Sequence, residues 1–138
     1  MSRIQSAILD QTIENSTYHH VIIEGLVNYF YKDLEKLLAQ NRKYRTAFTL
    51  VGNNISQLAD KYGNNTIELL LSCVRNKFVF SGAALEDIKI LSNNMGISIG
   101  LEHMYSSEEL ATLDGNMCVA KLVKNGRSTV PVKLVVGM

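Results

Sequence analysis

Three short stretches, YHHVII at residues 18–23, TAFTLV at 46–51 and KFVF at 77–80, decide the fold of this chain. Each is rich in β-branched or aromatic residues, and the first two are apolar on both faces, which is typical of buried strands. Glycine or asparagine follows each stretch, and helical periodicity follows in turn. Strands that alternate with helices in this way predict an α/β protein with a mainly parallel sheet and helices on both faces.

The segments around these strands predict the helices. Apolar residues recur at three- and four-residue intervals from Val27 to Tyr44, with Asp33 early and basic residues late, which is the charge order that a helix dipole favours. Thr66 is predicted to cap a helix through Cys73, and Gly96 to end one. The other helices are expected at 2–15, 56–62 and 85–95.

The last third of the chain predicts a short helix and an antiparallel hairpin. Ser106 and Glu109 have the spacing of a capping box at the start of the helix. Two strands, 116–124 and 129–136, flank an Asn-Gly pair, which is a strong hairpin signal. Because proline cannot donate to a β-ladder, Pro131 places the final strand at a sheet edge.

Length and composition indicate one globular domain of 138 residues. Hydrophobic residues make up 46% and charged residues 20%, with a formal net charge of +1, so a disordered or strongly nucleic-acid-attracting chain is excluded. We divide the domain into an N-terminal helix and connection at 1–17, a strand-helix core at 18–104, and the short helix with its hairpin at 105–138.

The start of the chain shows neither a signal peptide nor a membrane segment, because charged and polar residues interrupt its apolar positions. A cytoplasmic location is therefore expected. Cys73 and Cys118 lack the spacing of zinc or redox sites, and we expect both to be buried as small hydrophobic residues.

Several motifs occur together in a defined order. A buried strand ends in an acid at Glu24, a later strand leads into NNISQL at 53–58, and the tail carries EELATLDGNMC at 108–118. The chain thereby resembles, over about residues 18–136, the C-terminal half of the RecA-like motor domain of type IV secretion coupling ATPases, the conjugative DNA-transfer proteins of the TraG and TraD class and relatives of FtsK and HerA.

The chain departs from this family at its catalytic positions. No segment reads G-x-x-x-x-G-K-[ST], so the phosphate-binding loop of the family is absent from this sequence. Where the family has an Asp and a Glu for magnesium and the attacking water, the chain has Glu24 and Gly25. The glutamine of the family's sensor strand corresponds to Asn53 or Asn54. The resemblance thus implies a degenerate P-loop NTPase with no cofactor, which is an ATPase only if another chain complements it.

Three basic residues, Arg42, Lys43 and Arg45, lie at the C-terminal end of the predicted long helix. They are candidates for weak DNA contacts, because cations bind phosphates without sequence preference. Basic residues near a helix C-terminus also serve as partners of the helix dipole, which is the more common role.

The histidines and tyrosines suggest weaker alternatives. His19, His20 and His103 lack spaced acidic or thiol partners, so no metal site is predicted and surface histidines are the simpler reading. Tyr29 and Tyr31 are expected to pack or to line an interface, with no stacking platform for single-stranded nucleic acid.

Three functions remain open from the sequence. The first is a non-catalytic coupling-ATPase-like protein or fragment that acts as an interaction component of a conjugation or type IV secretion machine. The second is one part of a split or truncated DNA-translocating motor, and the third is an unrelated small α/β binding domain or enzyme. In the family the phosphate-loop strand lies beside the sensor strand, so a chain without it must close the gap. We therefore expect a homodimer, assisted by Ile4 and Ile8, or association with a machine component at the inner face of the membrane.

Overall fold

The computed structural model describes residues 17–41, 43–96 and 105–137. These residues fall into two compact units divided after Cys73. The predicted helix at 2–15, with Ile4 and Ile8, lies outside the described residues, and so do Arg42 and His103.

The first unit contains a parallel strand pair and four helices. Strand β1 (His19–Glu24) pairs in parallel with β2 (Thr46–Val51), and His19 is aligned with Thr46. Both strands therefore occur where the sequence predicts them, and their pairing is parallel as expected. The helices of this unit are α1 (Leu26–Tyr29), α2 (Lys32–Gln40), α3 (Ser56–Tyr62) and α4 (Asn64–Cys73).

The single helix predicted from Val27 to Tyr44 is wrong. Phe30 has an extended backbone, which separates α1 from α2, and α2 ends at Gln40. The break has a tertiary cause that periodicity cannot show. The Phe30 side chain is buried, its ring lies 5.0 Å from the ring of Tyr62, and its carbonyl accepts a hydrogen bond of 2.8 Å from the Tyr62 hydroxyl.

The cap predicted at Thr66 is also wrong, because α4 begins two residues earlier at Asn64. The Thr66 hydroxyl instead donates to the carbonyl of Tyr62 at 3.1 Å. Gly63 ends α3 with a φ of 89°, a conformation that favours glycine, and its N–H donates to the carbonyl of Ala59. The chain therefore turns sharply enough at Gly63 for two helices to follow each other closely.

The second unit contains an antiparallel sheet, a small ribbon and two helices. Its elements are β3 (Lys77–Phe80), α5 (Leu85–Met95), α6 (Ser107–Ala111), β4 (Met117–Lys121), β5 (Val123–Lys124), β6 (Arg127–Ser128) and β7 (Val132–Val135). Strand β4 is central, between β3 and β7, and both pairings are antiparallel. The third predicted strand thus joins the C-terminal strands, whereas parallel pairing is found between β1 and β2. The α/β class and the antiparallel C-terminal strands are as predicted.

Local signals in the second unit are confirmed. The Ser106 hydroxyl accepts from the N–H of Glu109 at 3.1 Å, and the Glu109 carboxylate accepts from the N–H of Ser106 at 2.9 Å, which completes the capping box. Asn125 and Gly126 both have positive φ, as a tight hairpin turn requires. Pro131 precedes β7, which pairs with β4 alone among the described strands.

Each unit has its own buried apolar residues. Those of the first unit include Leu34 and Leu58, and those of the second include Met95 and Val119. Cys118 is buried as predicted, whereas Cys73 is only half-buried, so the prediction for Cys73 is wrong. No helix within the described residues is long and apolar enough to span a membrane.

Candidate functional site

The carboxyl ends of β1 and β2 meet at one edge of the parallel pair. Glu24 is aligned with Val51 in the strand register, so Gly25 and Gly52 begin two adjacent loops. The loops approach closely, because a Cβ at Gly52 would lie 3.4 Å from the Cβ of Leu26. This edge is where the resemblance places the degenerate acidic and sensor positions.

Gly25, which the sequence predicts to replace the family's catalytic Glu, has a backbone conformation that disfavours other residues. Its φ and ψ are 71° and 48°, in the left-handed region, and it precedes the first turn of α1. A side chain at this position would cost about 1 kcal/mol or more from backbone strain alone. The loop is therefore shaped for glycine, and Glu24 is left as an exposed carboxylate without the second acid.

Asn53 and Asn54 follow the other strand of the pair. Asn53 is exposed and Asn54 is half-buried, in the loop between β2 and α3. The strand register thus brings the two sequence-predicted positions, at Glu24 and at Asn53–Asn54, to the same edge.

The amino ends of the same strands carry a different group of side chains. Arg45 directly precedes β2, and its guanidinium lies 5.5 Å from the centre of the Tyr18 ring. The Tyr18 side chain is 84% exposed. Lys43 lies nearby in sequence, with its ammonium 5.4 Å from the ring of Tyr44. Both geometries are those of cation–π contacts.

Two histidines extend this group along β1. The imidazole of His19 lies 3.1 Å from the hydroxyl of Thr17, and that of His20 lies 2.8 Å from the hydroxyl of Thr49. An open depression of about 620 Å³ is lined by Tyr18, His19, His20, Arg45, Thr46 and Ala47. We call Tyr18, His19, His20, Lys43 and Arg45 the amino-end cluster.

A metal site built from the histidines finds no support in this geometry. His19 and His20 are consecutive residues of a strand, so their side chains point to opposite faces of the sheet. Within residues 17–41, 43–96 and 105–137, no three histidine, cysteine or acidic side chains are grouped so as to hold a metal ion.

The antiparallel sheet of the second unit presents an apolar face. Phe78 is aligned with Ala120 and Val132, and Phe80 with Cys118 and Leu134, so these six side chains share one face. Phe78 and Phe80 are 53% and 55% exposed, and Val132 and Leu134 are also exposed. Apolar patches of this kind commonly mark protein interaction sites.

The sheet's opposite face carries lysines. Lys77 donates to the carbonyl of Val74 at 2.7 Å, and Lys121 donates to that of Asn94 at 2.8 Å. Partial burial, together with the nearby charge of Lys121, lowers the pKa of Lys77 below its ordinary value.

The sequence profile of the family described as the type IV secretion-system coupling protein DNA-binding domain matches residues 31–127. This match spans more than half of the chain, and the chain therefore belongs to this family. No curated protein sequence matches the chain significantly.

Solved structures of one bacterial conjugative coupling protein, TrwB, share the fold. The unbound form of TrwBdeltaN70 is similar with a TM-score of 0.76 and 18% sequence identity, over 96% of this chain and 34% of that chain. TrwB in complex with the GTP analogue GDPNP has a TM-score of 0.78 and 20% identity over the same shares. TrwB with ADP and Mg²⁺ has a TM-score of 0.74 and 20% identity, over 96% of this chain and 33% of that one. The chain thus spans about one third of the TrwB chains that it matches.

Sequence reasoning missed the contact between Tyr18 and Arg45. The sequence places the basic residues at the C-terminal end of a helix, but α2 ends at Gln40, so Lys43 and Arg45 lie in the turn that leads into β2. Parallel pairing of β1 and β2 then brings Tyr18 to Arg45, which lies 27 positions later. The available signal was a tyrosine and two histidines at the start of one strand and a cation at the start of its neighbour.

Proposed function

We propose that this chain is a non-catalytic coupling-protein module, an interaction component of a conjugative DNA-transfer or type IV secretion machine. The observation that carries this proposal is the left-handed conformation of Gly25, a residue that the family resemblance aligns with the catalytic carboxylate. The sequence also has no phosphate-binding loop. This sequence lacks that loop's N–H groups and lysine, and also the second acid, which are the groups that the family uses to orient ATP and its attacking water.

Calorimetric titration of the purified chain with ATP and magnesium tests this proposal. We expect no hydrolysis above background and no binding in the micromolar range. An intact coupling ATPase that has its phosphate loop, treated identically, is the positive control. Micromolar affinity for magnesium-ATP would contradict the proposal.

The apolar face formed by Phe78 and Phe80 supports an interaction role. Exposed aromatic side chains on a sheet face are stabilised when a partner covers them. We propose that the chain associates with itself or with another coupling-machine component, at the cytoplasmic side of the membrane. Sedimentation velocity of the wild type and of the Phe78→Ser/Phe80→Ser variant checks this. A wild type that stays monomeric at tens of micromolar would exclude the homodimer.

A second candidate function is one part of a split motor. Among the described strands, β2 pairs only with β1, and β3 only with β4, so each has an edge at which a further strand could pair. The match to one third of each TrwB chain also favours this candidate. Co-expression with a separately encoded phosphate-loop half is the test. Magnesium-dependent hydrolysis by the co-purified pair, and by neither part alone, would support it.

A further inference from the structure

The amino-end cluster is at the opposite end of the strand pair from the degenerate nucleotide positions. In a parallel pair all amino ends lie at one edge and all carboxyl ends at the other. Tyr18 and Arg45 therefore lie about six strand residues, or roughly 20 Å, from Glu24 and Gly25 at 3.3 Å per residue. Whatever binds at the amino ends is distinct from the nucleotide site of the family.

Arg45 is held in an unusual backbone conformation. Its φ of 49° lies in the left-handed region, which costs a residue other than glycine about 1 kcal/mol. The carbonyl of Arg45 accepts a hydrogen bond of 3.1 Å from the N–H of His19, which ties this turn to β1. Strain of this kind, kept by the surrounding structure, is often found at binding sites.

The charges of the cluster favour an anionic ligand. Residues 17–20 and 43–49 include a lysine, an arginine and two histidines but no aspartate or glutamate. Hydroxyl groups at Thr17 and Thr49 add polar contacts. Basic side chains together with hydroxyl groups, and without a nearby acidic residue, are typical of sites that contact phosphate groups.

The aromatic component narrows the ligand class. The Tyr18 ring is 84% exposed beside the Arg45 guanidinium, and the depression next to it has the volume of a ligand-binding cleft. Proteins that bind single-stranded nucleic acid combine cations along the backbone with exposed rings on which bases stack. A duplex would offer only its phosphates here, because its bases are already stacked on each other.

We propose that the amino-end cluster binds a segment of single-stranded DNA, with a base stacked on Tyr18 and adjacent phosphates at Arg45 and Lys43. The choice of DNA rests on the proposed function, since this places the chain in a DNA-transfer machine. The affinity is modest, because so few cations contribute. Dissociation constants on the order of 10 μM at physiological salt are expected, within the range for binding without sequence preference.

Fluorescence anisotropy with three labelled probes tests the site. The probes are a 20-nucleotide oligo-thymidine, an abasic strand of equal length, and a 20-base-pair duplex. The wild type binds oligo-thymidine more tightly than either other probe. Tyr18→Ala weakens oligo-thymidine binding about fivefold or more and brings it to the abasic level, while binding to the abasic strand is unchanged.

Matched variants distinguish three effects: loss of base stacking on Tyr18, loss of the Arg45 charge, and loss of the folded structure. Tyr18→Phe keeps the ring and binds like the wild type, and Tyr29→Ala removes another exposed tyrosine without effect. Arg45→Asn removes the cation but suits the positive φ, because asparagine tolerates this region. It weakens binding to oligo-thymidine and to the abasic strand alike. Circular dichroism confirms that each variant is folded.

Equal affinity for the thymidine and abasic strands, or a Tyr18→Ala variant with wild-type binding, would overturn the proposal. Absence of binding at low salt would overturn it as well. These outcomes are independent of the magnesium-ATP titration, so the DNA site and the non-catalytic function succeed or fail separately.

Discussion

The carboxyl ends and the amino ends of β1 and β2 use the same two strands to present different chemistry. At the carboxyl ends stand a single exposed acid, Glu24, and a glycine in a left-handed conformation. The amino ends carry the exposed Tyr18, two histidines, and Arg45, whose backbone is also in a left-handed conformation. The carboxyl end thus presents an acidic side chain next to a glycine, whereas the amino end has groups suited to a polyanion.

On the function proposed above, this difference would let a module lose catalysis and keep binding. Catalysis at the carboxyl ends needs a phosphate loop that this sequence does not contain, so substitutions there carry little further cost for hydrolysis. The amino-end cluster consists of Tyr18, which directly precedes β1, the histidines at the start of β1, and Lys43 and Arg45 in the turn before β2. The proposed DNA site therefore shares no residue with the carboxyl ends of the two strands.

Both ends of the strand pair belong to the first unit, and a substitution in the core of that unit should destabilise it. Leu58 in α3 is fully buried, so Leu58→Ala removes packed methyl groups and leaves a cavity. We expect a loss of about 3 kcal/mol in the free energy of unfolding, measured by urea denaturation. Leu69→Ala is the control, because Leu69 is 40% exposed, and it should cost under about 1 kcal/mol. Equal losses for the two variants would contradict the packing described for α3.

The carboxyl end is tested at Gly25. Gly25→Ala should destabilise the protein by about 1 to 2 kcal/mol, because alanine is strained at a φ of 71°. Space is not the cause, since the atom nearest to an added Cβ lies 3.8 Å away. Gly115→Ala provides the control, with no positive φ and open space around it. Thermal unfolding that fails to separate the two variants would remove the argument that this loop is shaped for glycine.

The link between Tyr62 and Phe30 positions α1 and α2 after β1. Tyr62→Phe keeps the ring contact but removes the donor to the Phe30 carbonyl, so about 1 kcal/mol of stability should be lost. Tyr29→Phe, at an exposed position, should be neutral. Chemical denaturation compares the two, and a neutral Tyr62→Phe would mean that the hydrogen bond does not cause the helix break.

The amino end is tested through salt. Arg45→Asn should lower the slope of log affinity for oligo-thymidine against log salt by about 0.7, the value expected for one lost phosphate contact on a single strand. Arg127→Asn removes an equal charge in β6 and serves as the control. Anisotropy titrations at several salt concentrations give both slopes. An unchanged slope for Arg45→Asn would place the phosphates elsewhere.

Much of the fold was predictable because it depends on local signals. Strands β2 and β3 match their predicted bounds, since β-branched and aromatic runs end at clear turn residues. The capping box at Ser106 and the turn at Asn125 could likewise be predicted, because each is formed by residues that are close together in the sequence. The break at Phe30 was not predictable, because it depends on Tyr62, which lies 32 residues later.

Some features of the candidate site could likewise be predicted from the sequence, and others could not. The prediction that Gly25 replaces a catalytic acid comes from comparing the sequence with a family pattern. The left-handed backbone conformation of Gly25 could not be predicted from the sequence, because glycine is compatible with many conformations. The contact between Tyr18 and Arg45 could not be predicted either, because it depends on the alignment of β1 with β2, and neither strand's sequence alone determines that alignment.

We propose that the amino ends of β1 and β2 bind single-stranded DNA and that their carboxyl ends do not bind nucleotide. Nitrogen–proton correlation spectra of the labelled protein test both parts in one sample, titrated first with magnesium-ATP and then with oligo-thymidine. We expect no shifts at residues 24–28 or 52–55 with magnesium-ATP, and progressive shifts at 17–20 and 43–49 with the oligonucleotide. Saturable shifts at Gly25 and Asn53 with magnesium-ATP, or an oligonucleotide titration that leaves Tyr18 and Arg45 unmoved, would contradict it.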